Sequence, residues 1–376
     1  MNHDLGRLLL AGRDAHRVIG RRLEAEPGQL EVMRDFAFAW QTNSMALPVG
    51  RNRHPFRLTD GRELHGLTTR ERAMLYEALG YLDPNLMFAM PGASMAGFVV
   101  EGLGNEAIRE HFHAFFERGL CWTFFALSEP GIGSDASRLQ TRAYRADGGY
   151  HLRGQKYFIG NGALAALGVV FARSSEGPLG LEAFLLETVN LTGFSATPLV
   201  PSGIPGSNLA HLCFDNVFVP DSHRLGAQLK PTERLGRSVL LTFEALRPCV
   251  AAAALGVTAS LLDRAETAFR CDASWLRKAR RQLEGARGLL WQCCDDFDLG
   301  RDTGRRAGLM KAHAVALAEA LALELLHRLP PAAMVEHDWL GKGWRDVKAF
   351  EYAEGTRYIH WHNAASLFRK ERHVPS

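Results

Sequence analysis

Apolar positions recur at helical spacing through the first third of the chain, at strand-like spacing through the middle, and at helical spacing again to the end. Ile108, Phe112, Phe115 and Phe116 share one face of a 3.6-residue repeat and predict a helix over Glu106–Arg118. Thr68-Thr69-Arg70-Glu71 contains a capping box, in which Thr68 and Glu71 satisfy free amides at a helix start. That helix is expected to end at Gly80, and Asp83-Pro84 to open the next, with Asp as cap and Pro in the first turn. From Leu120 the texture changes. Thr141–Arg145 and Tyr150–Arg153 flank Ala-Asp-Gly-Gly, a hairpin signal. Val169–Ala172, Ala183–Leu186 and His211–Val219 read as further strands. Beyond Thr232, Ala/Leu-rich stretches at Leu240–Phe269 and Ala307–Leu329 predict bundle helices. Near the end, Arg345–His360 reads as an amphipathic helix carrying one odd carboxylate, Glu354, before a Gly-Thr pair.

The predicted class is therefore α+β in three parts. These are an all-α domain over 1–119, a small antiparallel β domain over 120–231 and a four-helix-bundle domain over 232–376. With 376 residues the chain can bury a substantial core.

Composition narrows the function. The hydrophobic share is 47% and the charged share 23%, as in soluble globular proteins. Forty-four basic and 41 acidic residues leave a net charge of +3, too balanced for a nucleic-acid binder. The basic run Trp275–Arg287 reads first as a solvated helix face, with a phosphate-facing patch as the sharper alternative. The six cysteines form no CxxC and no His pair has zinc spacing, so reduced thiols and no metal are expected. No apolar run reaches the ~18 residues of a membrane span. Asp4, Arg7, Arg13 and His16 interrupt the N-terminal Leu run, which resembles no signal peptide. A cytoplasmic location is the expectation.

Two segments carry chemistry. Phe124–Asp135 reads FFALSEPGIGSD, a strand ending at a glycine-rich turn. Its glycines permit positive φ and close backbone approach to a ligand. An ordinary β-turn is the bland alternative there, as an exposed glutamate on a last helix is for Glu354. The first segment resembles the flavin signature of the acyl-CoA dehydrogenases, usually TEPGxGSD. Gly154–Gly162, GQKYFIGNG, resembles the family's G-x-K-x-W-I-[ST]-N-G. Phe214–Pro220, FDNVFVP, is similar to the strand that closes the family's β domain, and is read as structure. RDVKAFEYAEGT, from Arg345, matches the family's RDAKxxxIYEGT without a gap.

The resemblance implies FAD, with Phe125, Leu127, Ser128, Gly133, Ser134, Phe158, Ile159, Gly160 and Thr356 as cofactor contacts. It implies Glu354 as the catalytic base, and Ser134, Glu244, Arg247 and Gly355 as substrate contacts. FEALRP (Phe243–Pro248) resembles the helix lining the substrate tunnel. The base of some members falls at Leu246 here, so that helix cannot supply it. The implied reaction is α,β-dehydrogenation of an acyl thioester, in fatty acid or polyketide metabolism. Acyl-CoA is the default substrate and an acyl-carrier-protein thioester the runner-up. An electron-transfer flavoprotein or oxygen would accept the electrons. The implied assembly is a homo-oligomer, dimer or tetramer, with a hetero-oligomer as alternative.

Three departures accompany the match. Gly160 stands where the family has a hydroxyl for flavin N5. Pro330-Pro331 stand where glycine amides would meet the FAD pyrophosphate. The family's R-x-x-F-G segment has no clear counterpart in Arg270–Trp275. They leave two further readings open: a flavin-poor, non-catalytic partner subunit, or a flavin monooxygenase on the same fold.

Overall fold

A computed structural model describes residues 4–133, 138–235, 241–301 and 304–372. The N-terminal part holds α1 (Asp4–Ala11), α2 (Arg13–Ala25), α3 (Ala37–Ser44), the short hairpin β1 (Phe56–Arg57) and β2 (Glu63–Leu64), α4 (Thr69–Leu82), α5 (Pro84–Ala89), α6 (Ser94–Leu103) and α7 (Glu106–Arg118). The predicted caps are present. Thr68 and Glu71 form a reciprocal capping box, and the Asp83 side chain accepts from the Asn85 amide. On α7, Ile108, Phe112 and Phe116 are buried as expected, with Phe115 half-buried.

Gly80 does not end α4, which continues to Leu82. Its small size serves packing instead: a methyl there would lie 2.2 Å from the Ala253 carbonyl oxygen. A methyl at Gly256 would likewise lie 2.1 Å from the Glu77 carbonyl oxygen. Two glycines thus bring α4 against the long helix α9 at backbone distance.

The middle strands are β3 (Thr123–Ala126), β4 (Arg142–Ala146), β5 (Gly149–Ile159), β6 (Leu167–Arg173), β7 (Leu181–Glu187), β8 (Phe194–Pro198), β9 (Ala210–Pro220) and β10 (Arg224–Leu225). They form one sheet in the order β10-β7-β6-β4-β5-β9-β8, with β3 added beside β6. The expected antiparallel sheet is in fact mixed, because β3 runs parallel to β6, with Thr123 opposite Leu167 and Ala126 opposite Val170. A parallel neighbour lets β3 arrive from the helical region and deliver the SEPGIG turn at the far end of the sheet.

The last part holds α8 (Pro231–Leu235), α9 (Leu241–Ala268), α10 (Ala273–Asp298), α11 (Gly304–Arg328), α12 (Ala333–Glu336), α13 (Asp338–Ala349) and α14 (Arg357–Arg372). By length and composition α9 could cross a membrane, contrary to the run-length expectation, but it is the buried central helix of this bundle. All six cysteines are unpaired.

The β domain docks on the bundle through the 202–206 loop. Arg345 Nε donates to the Ser202 carbonyl at 2.9 Å, and the Ile204 amide donates to Asp346 Oδ1 at 2.9 Å. A methyl at Gly203 would lie 2.2 Å from the Arg345 carbonyl oxygen. Arg345 and Asp346, the start of the RDVK motif, are therefore the joint between the two layers.

Candidate active site

The expected helix over Arg345–His360 is broken. It stops at Ala349, and α14 begins only at Arg357. Between them lies a turn in which Glu354 has φ +55° and Gly355 φ +99°. The left-handed region costs a non-glycine residue about 1 kcal/mol or more. The surroundings hold the turn there. Lys311, fully buried on α11, donates to the carbonyls of Glu351 (3.0 Å) and Gly355 (2.7 Å). Arg247 Nε reaches the Glu354 carbonyl at 3.4 Å. Buried Glu351 accepts from the Arg357 amide at 2.9 Å and pairs with its guanidinium at 3.3 Å. Phe350, with no exposed surface, anchors the start of the turn against Phe88 of α5, ring centres 6.1 Å apart. Gly355 has no room for a side chain: a methyl would sit 3.1 Å from both Ile359 and the His360 ring.

The Glu354 carboxyl is the consequence. Burial pushes it up to about 8, against the pull of Arg247 and Lys311. Its Oε2 is covered and has no hydrogen-bond partner. A carboxylate in this state accepts a proton readily near neutral pH. Burial likewise lowers Lys311 to about 8 and His360 to about 4.

Around it, Leu246, Ala245 and Cys249 of α9 form an apolar cluster with Tyr76, Met95, Phe98 and Phe297. Leu246 is buried there. Burial raises the Cys249 thiol to about 12 and raises the Tyr76 hydroxyl further, and both feel the Glu354 charge. Arg247 stacks 5.2 Å from the Phe243 ring, and burial lowers its guanidinium against the pull of Glu354 and Glu244. Phe243 meets Phe125 of β3 edge-on at 6.0 Å, so α9 and the flavin-motif strand share one wall.

Across from α9 lies the SEPGIG turn. Glu129 bridges to Ile132 by paired backbone bonds of 2.8 and 3.0 Å. Its buried carboxylate accepts from the amides of Gln140 (2.6 Å) and Thr141 (2.9 Å) and from Lys156 Nζ (2.9 Å). Lys156, with no exposed surface, also donates to the Leu127 carbonyl at 3.0 Å. Burial acts to raise the Glu129 carboxyl, yet Lys156 and the amides hold it below the usual range, while burial lowers Lys156 to about 8. This pair locks the two flavin-like motifs together, and sequence reasoning gave neither residue a role. The signal was present in the motifs themselves, the Glu of SEPG and the Lys of GQKYF.

The expected cofactor contacts divide by placement. Phe158 bulges out of β5 at φ +59° and is 64% exposed, an open aromatic platform braced edge-on by Tyr157 at 4.5 Å. Gly160 is open, its nearest neighbour the Ser207 carbonyl oxygen at 3.5 Å, and nothing lies within 4 Å of a side chain built at Gly133. Ser128 is half-buried, and its carbonyl accepts from the Tyr157 amide at 2.9 Å. Leu127 and Ile159 turn their side chains into the core and present only backbone. Phe125 is half-buried against Phe171 at 5.1 Å. Half-buried Thr356 lends its carbonyl to the Ile359 and His360 amides at the start of α14. Ser134 lies outside the described residues. Asn161, next to Gly160, donates to the Phe88 carbonyl at 3.2 Å. Through Phe88 and Phe350 the platform and the base turn are thus two ends of one contact chain.

A buried carboxyl on a turn between α13 and α14, and an aromatic and glycine-bearing edge on the β domain, are the features to set beside known proteins. The acyl-CoA dehydrogenase middle domain matches residues 124–217 and the acyl-CoA dehydrogenase C-terminal domain matches residues 236–366. A short-chain-specific acyl-CoA dehydrogenase of Megasphaera elsdenii is 30% identical over 68% of this chain and 70% of its own length. A mitochondrial 2-methylacyl-CoA dehydrogenase of Solanum tuberosum is 29% identical over 62% of this chain. This chain spans 60% of that relative's length. An L-prolyl-[peptidyl-carrier protein] dehydrogenase of Serratia sp. (strain ATCC 39006) is 26% identical over 73% of this chain and 74% of its own length. In fold, the structure of PigA with FAD and proline superposes with a TM-score of 0.80 at 20% identity, over 98% of this chain and 99% of that one. The chain belongs to the acyl-CoA dehydrogenase family.

FAD is the cofactor of that family, and the ring end of the site fits it. Phe158 is exposed, and among the described residues Gly133 and Gly160 have open space beside them, room for an approaching ring. The pyrophosphate end differs. Pro330 and Pro331 follow the end of α11, where the Pro330 carbonyl accepts from the Ala333 amide at 2.9 Å, and neither proline offers an amide hydrogen. On the basic face of α10, Arg280 pairs with Asp263 and Glu266, and Arg287 with Glu77 and Glu284, while Arg277, Lys278 and Arg281 are exposed to solvent. This favours the solvated-face reading of Trp275–Arg287.

Proposed function

We propose that this chain dehydrogenates the α,β-bond of an acyl thioester, with Glu354 as the base. The observation that carries the reading is the Glu354 carboxyl, raised to about 8 with a covered Oε2 that nothing occupies. The acyl group would enter between Phe243 and Arg247 of α9 and the Phe125–Phe158 face of the β domain. The Glu354 amide would donate to the thioester carbonyl and favour the enolate-like state. Glu354 would then take the α-proton, in a pocket whose apolar cluster excludes water. Bound FAD would supply the hydride acceptor, its ring held by Phe158 and by backbone at Ser128, Gly133 and Gly160. Coenzyme A is the proposed carrier. A carrier-protein thioester is the second reading, supported by the similarity to the prolyl-carrier-protein dehydrogenase. An intact base weighs against the monooxygenase and non-catalytic readings. We place the enzyme in the cytoplasm, as a homo-oligomer passing electrons to an electron-transfer flavoprotein or oxygen. The test presents one acyl group on both carriers to protein reconstituted with FAD, with Glu354→Gln alongside. Product from neither carrier, or near-normal turnover by the variant, overturns the proposal.

A further inference from the structure

We propose that His111, Glu187 and His223 form a binding site for a divalent metal ion of the zinc class, clamping α7 to the edge of the β sheet. One ligand atom from each residue lies within 4.8 Å of the other two. His111 Nε2 shares a 2.6 Å hydrogen bond with Glu187 Oε1, and His223 Nε2 lies 3.8 Å from the same oxygen. In a tetrahedral zinc site with bonds of about 2.0–2.2 Å, neighbouring ligand atoms stand about 3.3–3.5 Å apart. The two separations to Glu187 bracket that value, and the third pair lies within 4.8 Å, so small side-chain adjustments bring the three atoms onto one ion.

The three residues come from separate elements: the middle of α7, the last residue of β7 and the turn before β10. The rings are already oriented. His111 packs edge-on to Phe115 at 5.6 Å, His223 hydrogen-bonds the backbone of Leu185, and the two imidazoles stand 5.3 Å apart. Such outer contacts fix ligand orientation in metal sites. All three side chains are partly exposed, so a metal ion can enter and water can complete its shell.

The site lies at the opposite end of β3 from the SEPGIG turn. Glu187 pairs with Leu167, which lies opposite Thr123 at the start of β3, whereas the SEPGIG turn follows the other end of that strand. Its role is therefore structural, holding the helical layer to the sheet. On binding, the hydrogen bond between His111 Nε2 and Glu187 gives way to the ion, which two neutral imidazoles and one carboxylate hold. No sequence spacing could show this, since the ligands are far apart in the chain.

The experiment titrates chelator-treated full-length protein with zinc chloride by calorimetry, and separately with cobalt(II), reading the visible absorption of a low-coordinate cobalt site. We expect one equivalent bound and a rise in Tm of about 2–4 °C at a hundredfold excess over Kd. His223→Gln and Glu187→Gln, which keep hydrogen-bonding capacity, should weaken binding at least tenfold and lose the cobalt band, with CoA-thioester turnover unchanged. Substoichiometric binding, or full binding in both variants, overturns the proposal.

Discussion

Among the described residues two lysines have no exposed surface, and they are used in opposite ways. Lys156 faces a carboxylate, Glu129, whose remaining valence is filled by two amides, so every charge in that pocket is answered. Lys311 spends its hydrogen bonds on two carbonyls of the base turn and leaves the nearby Glu354 Oε2 without a partner. The first arrangement fixes a scaffold. The second fixes a backbone while leaving a buried carboxyl oxygen without a partner. Burial brings both lysines to about 8, so the difference lies in the partners rather than in the depth.

The comparison can be broken by removing the free carboxylate. Glu354→Gln should lower turnover by about 10²–10⁴-fold, measured by steady-state kinetics, with flavin binding retained. The same variant has a pH signature. The folded protein keeps a proton on Glu354 to about pH 8, whereas the ordinary carboxyl releases it near 4.5, so that contribution to stability is lost as pH rises through this window. Glu354→Gln should therefore gain stability over wild type progressively from about pH 5 to 8, by at most about 1.4 kcal/mol for each tenfold fall in proton concentration. Denaturation midpoints across pH check this, and a flat difference would contradict it.

Lys156→Met strands Glu129 as an uncompensated buried charge and should cost about 3–5 kcal/mol in urea unfolding. Lys311→Met should act mainly on rate. The turn loosens, kcat falls by about 10²-fold, and the acid limb of the pH–rate profile moves up, because the cation that draws Glu354 down is gone. If both lysine variants lose stability alike and Lys311→Met leaves the profile in place, the distinction fails. Gly355→Ala is the smallest change, costing about 1–2 kcal/mol from its positive φ, plus the contacts with Ile359 and His360.

Much of this was legible in the sequence, for local reasons. Caps at Thr68 and Asp83 and the Asp-Gly hairpin between β4 and β5 act within four residues, and they formed where expected. Glu354 was singled out by register with a known motif, and the structure gives it a buried carboxyl raised to about 8. What was missed depends on contacts between distant segments. Gly80 looked like a terminator because its partner, Ala253, is far along the chain. The amphipathic spacing of Arg345–His360 suggested one helix, since periodicity does not reveal that Lys311 captures the carbonyls that would continue it. The β domain was taken as antiparallel because a hairpin signal says nothing about the strand arriving beside β6.

The close approach of Gly203 to the Arg345 carbonyl also sets a dimension. The sheet and the bundle touch there with no side chain between them, so the width of the cleft is gauged by a bare backbone contact outside it. A single methyl at that point would act as a shim. It would press the 202–206 loop off α13 and strain the Arg345–Ser202 and Ile204–Asp346 hydrogen bonds that join the two layers.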